Sequence, residues 1–191
     1  MKHFVLTLAL SCLFISLSTN AVEENLDAKL TVYRTIIAEL GSTLGKELMT
    51  AMKAGGAVNA LEVCNTKAQQ ITADFSKKAG LTITRISHKP RNANDAPLAW
   101  QTLVLQEFEK RKATGENLKQ IESHSVVEVD GKRQSRYMKA IFVKAKCLAC
   151  HGDNIAPALQ AKITQLYPND QATGFKVGDL RGAVSVVETL K

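Results

Sequence analysis

The chain has few aromatic residues: one Trp, three Tyr and six Phe account for 5% of its 191 residues. Nowhere do aromatic and basic side chains interleave as a base-stacking surface requires, so no nucleic-acid partner is expected despite a net charge of +7. There is no repeat and no low-complexity tract, and after residue 21 no apolar run approaches the about 20 residues that span a bilayer. No carboxylate pair set for acid–base work stands out, nor a nucleophile beside a base, so enzymatic activity is not expected. Cysteine is scarce too. Of the four present, Cys12 falls in the N-terminal run, which leaves Cys64, Cys147 and Cys150.

That N-terminal run is the first positive feature. Lys2 and His3 precede an apolar stretch from Phe4 to Leu17, followed by Ser18-Thr19-Asn20-Ala21 with small residues at a cleavage spacing. This is the layout of a secretory signal peptide over residues 1–21, too short for a comfortable membrane span. Residues 22–191 then form a single domain in an oxidising, periplasmic compartment. Three cysteines is an odd number, so one thiol needs its own explanation.

From Glu23 to Lys53, Leu26, Leu30, Tyr33, Ile37, Leu40, Leu44 and Leu48 recur at steps of three and four, which predicts a long N-terminal helix. Gly41 and Gly45 could admit a second backbone, and the helix offers a surface for a homodimer. Gly55-Gly56 breaks the chain. A second helix is expected over 57–78, with Ala57, Leu61, Cys64, Ala68, Ile71 and Phe75 on one buried stripe. "LTITRIS" (81–87) alternates as a half-buried strand does. Asn94 or Asp95 is expected to cap a helix to about Lys112, with Pro97 in its first turn. Asp130-Gly131 predicts a type I′ hairpin with Glu128 opposite Arg133. A short helix over 157–166 and a strand over 183–189 complete an α+β pattern of helices followed by antiparallel strands. Lys132, Arg133, Arg136, Lys139, Lys144 and Lys146 form a basic run without an acid, read as a solvated strand face because alternate residues point to opposite sides.

Within "KCLACHGD" (146–153), Cys147-Leu148-Ala149-Cys150-His151 sets two thiols one short turn apart with an imidazole directly behind them. Cysteines at that spacing can bond the vinyl groups of one porphyrin while the histidine ligates its iron, so the expected cofactor is a single covalent haem c. A thiol–disulfide oxidoreductase would need a βαβ setting, which is lacking, and a zinc site would need a second knuckle. His151 is one axial ligand. Candidates for the other are Cys64, Met49, Met52, Met138, His88 and His124. Cys64 is favoured as the leftover thiol on an inward stripe, although buried methionines and cysteines are more often plain core residues.

"ALEVCNTKA" (60–68), "TRISHKPRNANDAPLAWQ" (84–101), "KCLACHG" (146–152) and "YPNDQATGFKVGDLRGAVSV" (167–186) together resemble the bacterial c-type haem domain family of unknown function with a PAS-like fold. The resemblance spans nearly all of residues 22–191. It implies an antiparallel sheet flanked by helices, and His/Cys ligation by His151 and Cys64. Family members occur as stand-alone exported proteins or as sensor regions. The expected role is therefore a redox or small-ligand sensor, responding to a diatomic gas or a redox partner protein, with a low-potential electron-transfer cytochrome as the alternative. Lys89, Arg91 and Arg181, in the family-like loops, are the expected propionate contacts.

Overall fold

The computed structural model describes the backbone of residues 16–190 and side chains from Leu26 onward. The expected signal segment, residues 1–21, lies outside the described residues as far as residue 15. Among the described residues no helix is long and apolar enough to cross a membrane. The chain divides into Met1–Val32 and Tyr33–Lys191. The first unit is helical from Ser16, with Thr31 Oγ1 donating to the Asp27 carbonyl at 2.8 Å. All the other elements belong to the second.

Helix α1 (Ser16–Ala79) is broken at Gly55 (φ −158°, ψ 21°) and Gly56 (φ 71°, ψ −163°), where the sequence places the break. A positive φ costs glycine nothing, and the chain reverses there. Asn59 Nδ2 donates to the Ala51 carbonyl across the turn at 3.0 Å, and Lys67 meets Glu47 at 2.9 Å further along the two arms. At Gly41 and Gly45 no atom of the described residues lies within 4 Å of where a Cβ would stand, so neither glycine is needed for packing within this chain.

Four strands, β1 (Thr82–Ile86), β2 (Glu122–Val129), β3 (Lys132–Phe142) and β4 (Leu180–Thr189), form one antiparallel sheet in the order β1-β4-β3-β2. Helix α2 (Ala99–Ala113) lies between β1 and β2 in the chain. The CxxCH turn α3 (Leu148–His151) and helix α4 (Pro157–Leu166) lie between β3 and β4. Together they make the expected α+β, PAS-like architecture. The hairpin is type I′ as predicted, with Asp130 at φ 51°, Gly131 at φ 70° and Glu128 opposite Arg133.

The central strands are covered on both faces, which is why Gly182 through Val186 are buried consecutively. One face packs Met138 and Ala183 with Ile86, Leu105, Phe108 and Ile121. Each large apolar side chain fully buried there contributes about 1.5–3 kcal/mol. On the other face Tyr33 of α1 stacks on Tyr137, ring centroids 5.5 Å apart, and its hydroxyl bonds Ser135 and Glu188. The basic run is split between these faces, as alternation requires: Arg136 lies 4.7 Å over Trp100, while Lys139 pairs with Glu122 at 2.7 Å.

The start of α2 differs from expectation. Asn92 Oδ1 accepts from Asn94 N at 3.0 Å and caps a separate 3-10 turn, Ala93–Asp95. Pro97 then holds Ala96 extended. The helix therefore begins after Leu98, whose N–H donates to Gln101 Oε1 at 2.8 Å, and Pro97 stays outside it.

Candidate functional site

The CxxCH segment leaves β3 through a 3-10 turn, Ala145–Cys147, and continues into the single helical turn α3, closed by Gly152 N–H on the Leu148 carbonyl at 2.9 Å. Both cysteines are free thiols and half-buried. Cys147 packs with Val143, Ala172 and Phe175, and Cys150 with Leu61, Leu159, Ile163 and Tyr167.

The turn-rich stretch before β4 holds this segment in place. Phe175 N–H donates to the His151 carbonyl at 2.9 Å and Gly174 N–H to that of Gly152 at 3.1 Å. Arg91 forks onto Asp170, with Nε to Oδ1 at 3.1 Å and Nη2 to Oδ2 at 3.0 Å, and both side chains are only 8% exposed. Its Nη2 also reaches the Cys150 carbonyl at 2.6 Å and that of Ala172 at 3.2 Å. One buried ion pair thus ties together three segments that are distant in sequence.

His151 depends on this brace. Its Nδ1 lies 2.8 Å from the Ala172 carbonyl. A carbonyl can only accept, so the proton is on Nδ1 and the lone pair on Nε2. Burial, and then repulsion from Arg181 and Arg91, lowers the imidazole pKa to about 3, so the ring is neutral at any ordinary pH.

Two cavities have one lining residue, Arg85, in common. The first, about 210 Å³, is lined by His151, Ile141, Arg181, Gly182, Ala183 and Arg85, among others. The second, about 200 Å³, lies between the arms of α1 and is lined by Cys64 together with Leu44, Leu48, Val63, Ala68 and, again, Arg85. The expected stripe therefore holds, with Cys64 facing a cavity instead of a filled core. Burial pushes its thiol pKa up, as does nearby Cys150, while Arg85 and Arg91 pull the other way. Gly182 narrows the floor of the His151 cavity: its φ is 152°, and a Cβ there would stand 2.0 Å from the Ile86 carbonyl oxygen.

The other candidate ligands are elsewhere. Met138 is in the core beneath α2, His124 bonds Ser135 at 2.9 Å, Met49 is exposed, and His88, also exposed, lines a third depression with Lys89 and Glu109. Met52 lines neither of the two cavities. Among the expected cations, Arg181 lies in the His151 cavity and donates from Nη1 to Ser87 Oγ at 2.8 Å and to the Lys89 carbonyl at 3.2 Å. Burial is the main cause of its lowered pKa, about 10. Lys89 is exposed, bonding the Thr173 carbonyl over the Phe175 ring.

Arg85 did not figure among the expected site residues. Its Nε is buried and, among the described residues, is the side-chain polar atom left without a hydrogen-bond partner. The sequence does carry a signal, since in "LTITRIS" the arginine falls two positions after Ile83 and so on the same face of the strand.

The model of the Tll0287-like family matches residues 15–188. The chain belongs to the Tll0287-like family. Among solved structures it is similar to the cyanobacterial heme-protein Tll0287, with 27% identity and a TM-score of 0.65 over 86% of this chain and 96% of that one. No curated protein matches it. All the elements described above from α1 to β4, including both cavities and the brace, fall almost entirely within the Tll0287-like match.

Proposed function

We propose that this chain is a periplasmic c-type haem protein working as a redox-responsive or small-ligand sensor module, with one haem bonded through Cys147 and Cys150 and its iron held by His151 and Cys64. The observation that carries this reading is the clamp on His151. The Nδ1–H bond to Ala172 leaves Nε2 as an unprotonated donor in a cavity that shares Arg85 with the cavity of Cys64. This is the outer-shell arrangement that orients a ligating imidazole. Description of the solved relative as a heme-protein supports the same cofactor.

The residues present fit the group. Two free thiols at the attachment spacing, a neutral imidazole, a third thiol facing the adjoining cavity and an orphaned guanidinium between them are what a covalently held iron porphyrin with two carboxylates would engage. Bound there, haem supplies a one-electron iron couple. Arg181 and Lys89 contribute positive charge toward the propionates, and Arg91 does so while bracing the attachment segment.

Cys64 is the ligand able to let go. Burial favours its neutral thiol, so any loss of positive charge opposite the sulfur favours protonation and release. Its arm of α1 turns on Gly55-Gly56 and shares a cavity with the other arm, so a change at Cys64 can be passed along the helix, which favours a sensor over a fixed electron carrier. The test is a carbon monoxide titration of the reduced protein across neutral and mildly acidic pH, beside Cys64→Ala. Wild type should bind the gas more readily as pH falls, and the variant should bind it throughout. Wild type refusing it at every pH while the variant binds would make a low-potential electron carrier the better account.

A further inference from the structure

The cationic side chains near the two cavities differ in how completely they are engaged. Arg91 is held by Asp170 and two backbone carbonyls, Arg181 by Ser87 and the Lys89 carbonyl, and Lys89 by the Thr173 carbonyl. Arg85 alone among these four has a buried donor, Nε, with no acceptor. Its nearest acid is Asp95, with Nη2 to Oδ2 at 3.8 Å, beyond hydrogen-bond reach, while Asp95 Oδ1 accepts from Gln69 at 3.0 Å. A guanidinium cannot shed its charge, and a buried donor without a partner costs about 1–3 kcal/mol or more when charged. Such an orphan indicates an acceptor supplied by something else.

The position of Arg85 narrows the kind of acceptor. It lines the His151 cavity, the Cys64 cavity and a further, open one of about 490 Å³ whose walls mix Gln69, Thr72 and Asn94 with Ala73, Leu81 and Ile83. A group reaching Arg85 from between the two proposed iron ligands would thus meet a forked cation beside an open cavity, and a forked guanidinium is matched by a carboxylate. The strand order adds direction. The attachment cysteines follow β3, and Arg85 is on β1, two strand spacings or about 10 Å across the sheet. In a porphyrin bonded through its vinyl edge, the propionates occupy the opposite edge.

We infer that Arg85 is the primary anchor for a haem propionate, its Nε donating to the carboxylate. The inference rests on the haem reading above. Arg85 is on this account a binding residue that sets the orientation of the ring, and the loose contact with Asp95 keeps the guanidinium in place without satisfying it.

The experiment uses the full chain produced with a cytochrome c maturation system. Haem staining on a denaturing gel reports attachment, and resonance Raman follows the propionate bending band of the ferric protein as a function of pH. Arg85→Leu should retain the stain, shift the band, and raise the pH midpoint of its protonation by at least one unit, a tenfold or larger gain in proton affinity, since a neighbouring arginine lowers a carboxyl pKa by about 1–3 units. Arg85→Lys should recover most of that midpoint. The same pair of measurements in a Cys64→Ala background should give the same shift. A band that stays put in a stained Arg85→Leu protein overturns the inference, as does a shift that vanishes once Cys64 is replaced, because Arg85 would then act through the thiol. Should Arg85→Leu fail to accumulate, Arg85→Gln keeps the side-chain volume without the charge and is judged by the same midpoint. Absence of stain from wild type would instead remove the haem reading itself.

Discussion

Replacing Asp170 by Ala should be among the most damaging single changes in this chain, although the residue touches no proposed ligand directly. The substitution removes both arms of the Arg91 fork and the acceptor of the Ala172 N–H, at 2.8 Å, and leaves a guanidinium whose side chain is 8% exposed without a counter-charge. Breaking one side of a buried ion pair costs about 3–5 kcal/mol, most of it the burial of the uncompensated charge. For a chain of this size about 2–4 °C of melting temperature accompanies each kcal/mol, so the midpoint should fall by roughly 6–20 °C. Ala172 also presents the carbonyl that orients His151, so the ferric absorption spectrum should broaden or shift before the protein unfolds. Thermal melts and spectra of Asp170→Ala, Arg91→Met and the double variant provide the assay. The double variant should lose less than the sum of the two singles, because neither charge is then left alone. A loss below about 1 kcal/mol for Asp170→Ala, as for an exposed pair, would refute the brace and with it the account of how His151 is held.

Gly182→Ala should cost about 3 kcal/mol or more in urea unfolding, since its Cβ would stand 2.0 Å from the Ile86 carbonyl oxygen and the left-handed backbone there disfavours any side chain; a neutral result would mean that β1 and β4 part easily at that point. Phe108→Ala, at a residue fully buried beneath the sheet, should cost about 3–5 kcal/mol in urea unfolding, and a loss below about 1 kcal/mol would mean that the core under α2 collapses to fill the gap. Glu122 is held near pKa 2: burial raises it, but Arg34, Lys139 and the Tyr137 hydroxyl outweigh that. Its folded pKa lies below its ordinary value of 4.5, so the stability it contributes is full above that value and is lost as pH falls toward 2. Acid unfolding of Glu122→Gln should accordingly be flatter across that window, and a slope equal to that of wild type would count against this pairing.

Features set by local backbone chemistry were legible in the sequence. Gly55-Gly56 breaks α1, Asp130-Gly131 turns the hairpin with Glu128 opposite Arg133, and the Cys64 stripe faces inward, because each depends only on near neighbours. The entry to α2 was misread because Asn92, two and three residues earlier than the expected caps, takes the chain into its own turn and Pro97 keeps Ala96 extended. Arg91 and Asp170 are 79 residues apart, and neither residue type alone announces a buried pair. The orphaned donor of Arg85 needed the strand order, since only the pairing of β1 with β4 brings that arginine beside the region that His151 enters from the other side of the chain.

The central claim is covalent attachment at Cys147 and Cys150 with iron held by His151 and Cys64, and intact mass under denaturing conditions, joined to the ferric absorption spectrum, tests it most directly. The account predicts a polypeptide heavier by one haem, the loss of that mass in Cys147→Ala/Cys150→Ala, and an altered ferric spectrum with unchanged mass in Cys64→Ala. Polypeptide mass alone from wild-type protein made with the maturation machinery, or a Cys64→Ala spectrum identical to wild type, would contradict it.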